Sequence, residues 1–373
     1  MENFKELGVD NKFIKGLKEL NIITPTEIQI KVIPLLLASN TDLVGQAQTG
    51  TGKTAAFGLP MLQKIDSGKK QIQGLILCPT RELGQQIAKQ LFKFTKYSDK
   101  IFTEAVYGGA PIDKQIYALS RPTHIVVATP GRLIDLLKRK ALDLSYVKTV
   151  VLDEADEMLS MGFKKELDKI LSVLKGVDNK WLFSATMPEG IKQIVNTHMS
   201  PDAHRIEVSA RNVVNKNIEH KFLICDENEK LQVLVQFLKS EKGNRGLVFC
   251  RTKVIAQKLA KQLIAKNVAA DTIHGDLLQK ERDKAMRAFK KGTLQLLVAT
   301  DIAARGIDVE GLSFVVHYQL PDQDEYFTHR SGRTARAGKK GLSLCLVSTS
   351  ELKQIRYYEK TLAISFGQIR QVK

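Results

Sequence analysis

At ~100–200 residues per domain, the 373 residues of this chain exclude a single small module and suggest two domains. Hydrophobic residues make up 43% and charged residues 26%, with 25 Gly and 10 Pro, which excludes a disordered, collagenous or low-complexity chain; no apolar run nears the ~18 residues of a membrane span, and the start Met1-Glu2-Asn3-Phe4-Lys5-Glu6 reads as no secretory signal. The formal charge of +17 divides unevenly, with 28 basic against 23 acidic residues in 1–208 and 29 against 17 in 209–373, which favours a polyanionic partner, although a merely soluble basic protein fits the charge as well.

In chain order, short apolar, β-branched runs fall at 42–45, 75–78, 125–129, 150–153 and 181–184, each followed by a stretch of helical period. After a break they resume at 247–250, 296–300, 314–318 and 342–347. Continuous apolar strands separated by helices predict parallel sheet covered on both faces, an α/β doubly wound design. The pattern occurs twice. Between the two sets lie one short run at 205–208 and a polar segment, so the expected domains are 1–208 and 217–373, with a linker at 209–216. Cys78, Cys225, Cys250 and Cys345 lie far apart with no zinc spacing, as expected of buried thiols in a reducing cytoplasm. His124, His198, His204, His220 and His317 are scattered and read as structural or surface residues.

Several strand-like runs end in a polar cluster: Cys78-Pro79-Thr80-Arg81-Glu82, Thr129-Pro130-Gly131-Arg132, Asp153-Glu154-Ala155-Asp156, Ser184-Ala185-Thr186 and Ala299-Thr300-Asp301. Any one of them could be a helix N-cap or a turn. Together they point to chemistry along one edge of each sheet, because open α/β sheets bind ligands at the carboxyl ends of their strands.

Ala47-Gln48-Thr49-Gly50-Thr51-Gly52-Lys53-Thr54 follows the first run. Its glycines let the loop turn and aim backbone N–H groups at phosphates, Lys53 reaches the outer phosphates, and the Thr54 hydroxyl suits Mg²⁺. The general phosphate-loop pattern has Gly where this chain has Ala47, a departure that leaves the loop chemistry intact. At 153–156 a strand delivers carboxylates at its tip. Asp153 is the candidate for Mg²⁺, partly through water, and Glu154 for orienting and deprotonating the attacking water. An acidic helix start is the competing reading of that cluster.

The letters at 153–156 carry a resemblance to the DEAD-box RNA helicases of superfamily 2, and it extends over nearly the whole chain with the motifs in the family's order. Phe4 and the segment 21–29, with Thr24 and Gln29, resemble the isolated aromatic and the Q motif, which implies contacts to adenine. Residues 47–54 are similar to motif I, where Ala is usual first, so Gln48, Thr49, Gly50, Thr51, Gly52, Lys53 and Thr54 are implied to hold nucleotide. Pro79-Thr80-Arg81-Glu82-Leu83, Gly108-Gly109 and Thr129-Pro130-Gly131-Arg132 resemble motifs Ia, GG and Ib, which implies an RNA-backbone track. Ser184 and Thr186 stand in a segment resembling motif III, implied to couple nucleotide state to RNA handling.

In the second half, the segment around Arg251 resembles motif IV, and Gln279 with Arg282 the QxxR motif. The segment 299–308, with Thr300, Asp301, Gly306 and Asp308, looks like motif V, and His329-Arg330-Ser331-Gly332-Arg333-Thr334-Ala335-Arg336 like motif VI. The resemblance implies RNA contacts from Arg251, Gln279, Arg282, Thr300 and Asp301, nucleotide contacts from Gly306 and Asp308, arginine fingers at Arg333 and Arg336, and a coupling role for His329. Ser331 and Ala335 replace the family's commoner Ile and Gly, and Gly84 stands where Ala is commoner.

What this implies is two tandem RecA-like doubly wound parallel-sheet domains joined by a short linker. The expected protein is a cytoplasmic, monomeric-core RNA helicase using ATP and Mg²⁺, closing on single-stranded RNA largely through its backbone, without a membrane. Three other readings stay open on the residues. An ATP-gated RNA clamp or annealing factor would look the same. A P-loop ATPase or small-molecule kinase would leave the arginines and the basic half idle. A DNA helicase would use like phosphate contacts.

Overall fold

The computed structural model describes residues 3–48, 50–174, 176–208, 217–304, 312–322, 324–335 and 340–369. Thr49, the expected linker 209–216, Gly306, Asp308 and Arg336 lie outside the described residues. Contacts divide the chain into two compact units, Met1–Val208 and Ser209–Lys373.

The first unit is built on β1 (Leu43–Gln46), β2 (Gly74–Leu77), β3 (Thr103–Val106), β4 (Ile125–Ala128), β5 (Thr149–Leu152), β6 (Asn179–Ser184) and β7 (His204–Glu207). They form one parallel sheet in the order β3-β4-β2-β5-β6-β1-β7. Alternate residues of the apolar runs serve opposite faces, because side chains in a strand alternate with period two. In β2, Ile76 joins Phe57, Ile87 and Leu91 on one face, while Leu75 and Leu77 join Leu133, Met158 and Ile170 on the other. Both faces are covered, which is why these strands read as unbroken apolar runs.

The second unit carries β8 (Ile218–Ile224), β9 (Gly246–Phe249), β10 (Ala270–Ile273), β11 (Leu296–Ala299), β12 (Phe314–His317), β13 (Gly341–Val347) and β14 (Phe366–Gln368). Their order is β10-β11-β9-β12-β13-β8-β14, again parallel throughout. Subtracting seven from each strand number turns this order into that of the first sheet, so the twofold pattern of the sequence is a repeat of topology. Here Val248 and Val298 pack under Leu259 and Leu263 on one face, and Leu247, Phe249 and Leu297 against Ala285 and Phe289 on the other.

In each unit all carboxyl ends lie along one edge because every strand is parallel. In the first sheet that edge presents, in spatial order, 107–109 after β3, 129–132 after β4, 79–82 after β2, 153–156 after β5, 184–186 after β6 and 47–53 after β1. The clusters expected to hold nucleic acid and those expected to hold nucleotide therefore occupy opposite halves of one edge.

Candidate functional site

The loop after β1 turns on two left-handed glycines, Gly50 at φ +84° and Gly52 at φ +91°. Gly52 has a second reason to lack a side chain, because a Cβ there would collide with the Gln29 amide. The helix Lys53–Lys64 then begins with its first N–H groups at the loop, and it is buried almost throughout. Lys53 is itself buried, and its Nζ donates to the Ala47 carbonyl at 3.0 Å, bridging the loop from within. Thr51 Oγ1 donates to Gln48 O at 2.8 Å, and Thr54 follows on the first turn.

Gln29 supports this loop. Its Nε2 donates to Gly52 O at 3.0 Å and its Oε1 accepts from Thr26 N at 2.9 Å, while Thr26 Oγ1 donates to Thr51 O at 2.8 Å. These bonds leave one Nε2 hydrogen and one Oε1 lone pair of the amide unused. Thr24 is exposed beside it. Phe4 is 3% exposed and packs in the apolar layer with Phe57, which places it in the core.

Asp153 stands immediately after β5, 2% exposed, and its Oδ1 accepts from Glu154 N at 3.0 Å. Burial pushes its carboxyl up to about 7, against the pull of the Lys53 ammonium. A buried carboxylate beside an ammonium and a helix-starting hydroxyl fits a divalent cation, which would stabilise the ionised form. Glu154 has φ +53°, left-handed backbone that costs a non-glycine residue about 1 kcal/mol or more. Such strain is often found where a catalytic side chain is aimed.

Asp156, which the sequence reading left without a role, ties this cluster to the next strand. Its Oδ2 accepts from both the backbone N and the Oγ1 of Thr186, each at 2.9 Å. The Asp156 N–H donates to Ser184 Oγ at 3.3 Å, and Ser184 Oγ donates to Thr186 O at 2.6 Å. The signal that could have found Asp156 is a further carboxylate in the same cluster, at the start of the helix Ala155–Ser160 that follows the strand tip.

On the other half of the edge, Thr80 caps the helix Arg81–Phe94, its Oγ1 accepting from Leu83 N at 3.3 Å. Pro79 is buried beside it. Arg81 lies over the Tyr107 ring at 4.8 Å, and Tyr107 OH accepts from Gln85 at 2.6 Å. Gly108 and Gly109 follow, the latter at φ +78°. Thr129, Pro130 and Gly131 open the helix Pro130–Lys138, and nothing lies within 4 Å of where a Cβ on Gly108 or Gly131 would stand. Arg132, expected to face phosphates, donates instead to Gln115 Oε1 at 2.8 Å and to Ala110 O at 3.0 Å. In this structure it holds the glycine loop in place.

In the second unit Arg251 follows β9, its Nε donating to Leu320 O at 2.7 Å and lying 3.1 Å from Asp322. Thr252 caps the next helix as Thr80 does, accepting from Ile255 N at 3.3 Å. Thr300 is half-buried at the end of β11. Asp301, expected at RNA, has its carboxylate committed to Arg330, with Nε–Oδ1 at 2.5 Å and Nη2–Oδ2 at 2.6 Å. A paired anion is a poor phosphate ligand, so its place is structural. Gln279 Nε2 donates to Asp283 at 2.8 Å, and Arg282 Nη2 to Ala303 O at 2.8 Å. His329 is half-buried on the helix Asp324–Ser331; its carbonyl accepts from Arg333 Nε at 3.2 Å. Arg333 is 9% exposed.

The position equivalent to the phosphate loop, after β8, holds Cys225-Asp226-Glu227-Asn228-Glu229 and then Lys230 at the first helical position, as Lys53 is in the first unit. No glycine turns this loop. Lys230 is buried, and its Nζ pairs with Glu227 at 2.8 Å and lies 4.0 Å from Glu351. The chain itself thus supplies the counter-charge to this lysine.

A family model for DEAD/DEAH box helicases matches residues 26–194, and one for the helicase conserved C-terminal domain matches 229–338. The chain is 42% identical over 361 residues to the DEAD-box ATP-dependent RNA helicase CshA of Bacillus cereus, covering 97% of this chain and 68% of that protein. It is 44% identical over 362 residues to the ATP-dependent RNA helicase CshA of Listeria monocytogenes, covering 97% and 69%. Among solved structures, S. cerevisiae Dbp5 bound to RNA and ADP BeF3 aligns with TM-score 0.88 at 29% identity, over 99% of this chain and 96% of that one. Among the described residues no helix is long and apolar enough to cross a membrane.

Proposed function

The chain belongs to the DEAD-box ATP-dependent RNA helicases, and we propose that its two units share one hydrolytic centre that a strand of RNA completes. The first unit contributes the glycine loop, Lys53, Thr54, Asp153 and Glu154. Backbone N–H groups of 50–54 bind the phosphates, and Lys53 exchanges its bond to Ala47 O for the outer phosphate oxygens. Asp153 and Thr54 would hold Mg²⁺, which supplies charge neutralisation on the phosphates. Glu154 orients the attacking water and takes its proton. Gln29 and Thr24, with Gly306 and Asp308, complete the nucleotide contacts, Gln29 through its remaining amide valences; Phe4, buried with Phe57, stays in the core.

The positive charge that the transition state still needs comes from Arg333 and Arg336, and an arginine finger is worth ~10³–10⁵ in rate. Both belong to the second unit. The observation that carries this reading is the contrast between the two equivalent loops: only the first has glycines and a lysine with no carboxylate partner within the loop, whereas Lys230 is neutralised by Glu227. One unit is built to take the phosphates and the other to complete them.

RNA favours the same closed arrangement by meeting 79–81, 108–109 and 129–131 on the first unit, where Arg132 braces the glycine loop, and Arg251, Gln279, Arg282 and Thr300 on the second, so RNA and ATP bind with reciprocal coupling. Ser184, Thr186 and His329 link the two ligands; the Asp156–Thr186 bonds supply a direct path from the carboxylates to motif III. A groove that holds one bent strand excludes a regular duplex, and local unwinding follows. The four buried, unpaired cysteines suit a reducing cytoplasm. The test is Glu154→Gln. With ATP present this variant is expected to release a fluorescent RNA at least tenfold more slowly than the parent chain; release as fast as the parent's contradicts the shared centre.

A further inference from the structure

Among the described residues, two of the most exposed apolar side chains stand on the carboxyl edge of the second sheet, Leu278 at 71% and Val254 at 65%. The segments that carry them are tied by an ion pair, Lys253 Nζ to Asp276 at 2.5 Å, which joins the segment after β9 to the segment after β10 across the end of β11. The same two segments are tied again by the contact of 2.8 Å between Gln257 and His274. Leu278 occupies the N-cap of the helix Gln279–Lys290. Its N–H donates to Glu281 Oε2 at 3.0 Å, but leucine has no oxygen to return the bond to the helix. Ser, Thr, Asp and Asn are strongly preferred there, and an apolar cap forgoes about 1 kcal/mol. The residue therefore costs stability twice, through the missing cap and through its exposure.

We propose that Leu278, with Val254 on the linked segment after β9, is an apolar contact for the ribose and base faces of the bound RNA strand, flanked by side chains that hold its phosphates. This rests on the RNA track proposed above. Arg251, Gln279, Arg282 and Thr300 border the pair in sequence and along the sheet edge, since β10, β11 and β9 are adjacent. The helix that Leu278 opens carries Lys280, Arg282, Lys284, Arg287 and Lys290 against Glu281 and Asp283, a balance that suits a polyanion. Phosphate contacts alone give affinity that falls steeply with salt. An apolar contact adds affinity that salt does not screen, and it grips an unstacked nucleotide better than a stacked duplex, whose base faces are covered.

The experiment is a salt titration of single-stranded RNA affinity for the intact chain, with thermal unfolding of the same samples. Leu278→Ser is expected to raise the unfolding temperature, because the serine supplies the missing cap, and to weaken RNA binding by about three- to tenfold. The slope of log affinity against log salt should stay unchanged, and Leu278→Met should bind as the parent does. Arg282→Ala is the control for the track itself and should reduce the slope by about 0.7. If the Arg282 variant shifts the slope while Leu278→Ser binds RNA as tightly as the parent, the apolar contact is refuted and the track stands. If the Arg282 slope does not move, the track fails. A lowered unfolding temperature for Leu278→Ser overturns the proposal as well, since it assigns the leucine to packing.

Discussion

A Cβ on Gly84 would lie 3.2 Å from Cys78 Sγ, closer than side-chain carbons normally approach sulfur. Cys78 is fully buried at the end of β2, directly under the helix Arg81–Phe94 that presents Arg81. The glycine in that helix is thus the partner of the cysteine, a small residue accommodating a large one. Gly84→Ala is expected to gain clearly less than the ~1 kcal/mol of helix propensity in the parent chain, and the full amount in Cys78→Ala. Chemical denaturation of the four proteins in that cycle measures the coupling; additive effects would contradict it. Ser331 has a similar explanation. Its Oγ lies 3.3 Å from His317 Nε2 and 3.0 Å from Ser343 Oγ, a buried polar cluster where the family commonly has isoleucine. Ala335 sits at φ +55°, where the family's commoner glycine would avoid about 1–2 kcal/mol of strain. These departures were visible in the sequence, but their partners were not, because Cys78, His317 and Ser343 are distant in the chain or read as ordinary strand residues.

At the scale of elements, the strands that apolar runs announced are those with both flanks paired, such as β2, β5, β9 and β12. Those the sequence did not announce are mostly at the rims: β3 (Thr-Glu-Ala-Val), β10 (Ala-Asp-Thr-Ile) and the three-residue β14. An edge strand exposes one flank and carries polar residues, so its pattern fades into that of a loop. β8 was missed for another reason: His220 and Lys221 interrupt its run, yet His220 is buried. It lies among Phe327 and Phe366, neither of its ring nitrogens finds a hydrogen-bond partner, and burial pulls its pKa down to about 4. His317, stacked on the same Phe327 at 4.7 Å, is held well below its usual value by burial as well. The unfolded chain binds protons at about 6.5 while the folded one does not, so the second unit loses stability as pH falls from 6.5 towards 4, by about 1.4 kcal/mol per pH unit for each histidine. His220→Phe should flatten that slope. Circular dichroism in urea at pH 7.5 and 5.0 reads it, while fluorescence of Trp181, the single tryptophan, reports the first unit separately. An unchanged slope in the variant would show that His220 does not titrate as its burial requires.

For the whole molecule, the two sheets repeat one strand order, but the loops at equivalent strand ends differ. Thr80 and Thr252 cap equivalent helices, each behind a buried cysteine two residues earlier, Cys78 and Cys250. The phosphate loop and its counterpart share only the lysine at the first helical position. Motif spacing revealed which residues bear charge at the strand ends. It could not reveal that Arg132 and Asp301 spend theirs inside the protein, because a side chain's hydrogen-bond partner depends on the fold. The proposed centre divides its residues between the two units, with RNA as the ligand that brings it together. The direct measurement is steady-state ATP hydrolysis by the intact chain titrated with single-stranded RNA, and then with DNA of the same sequence. Turnover should rise at least tenfold with RNA and far less with DNA; hydrolysis that proceeds equally fast with no nucleic acid present would contradict a centre that RNA completes.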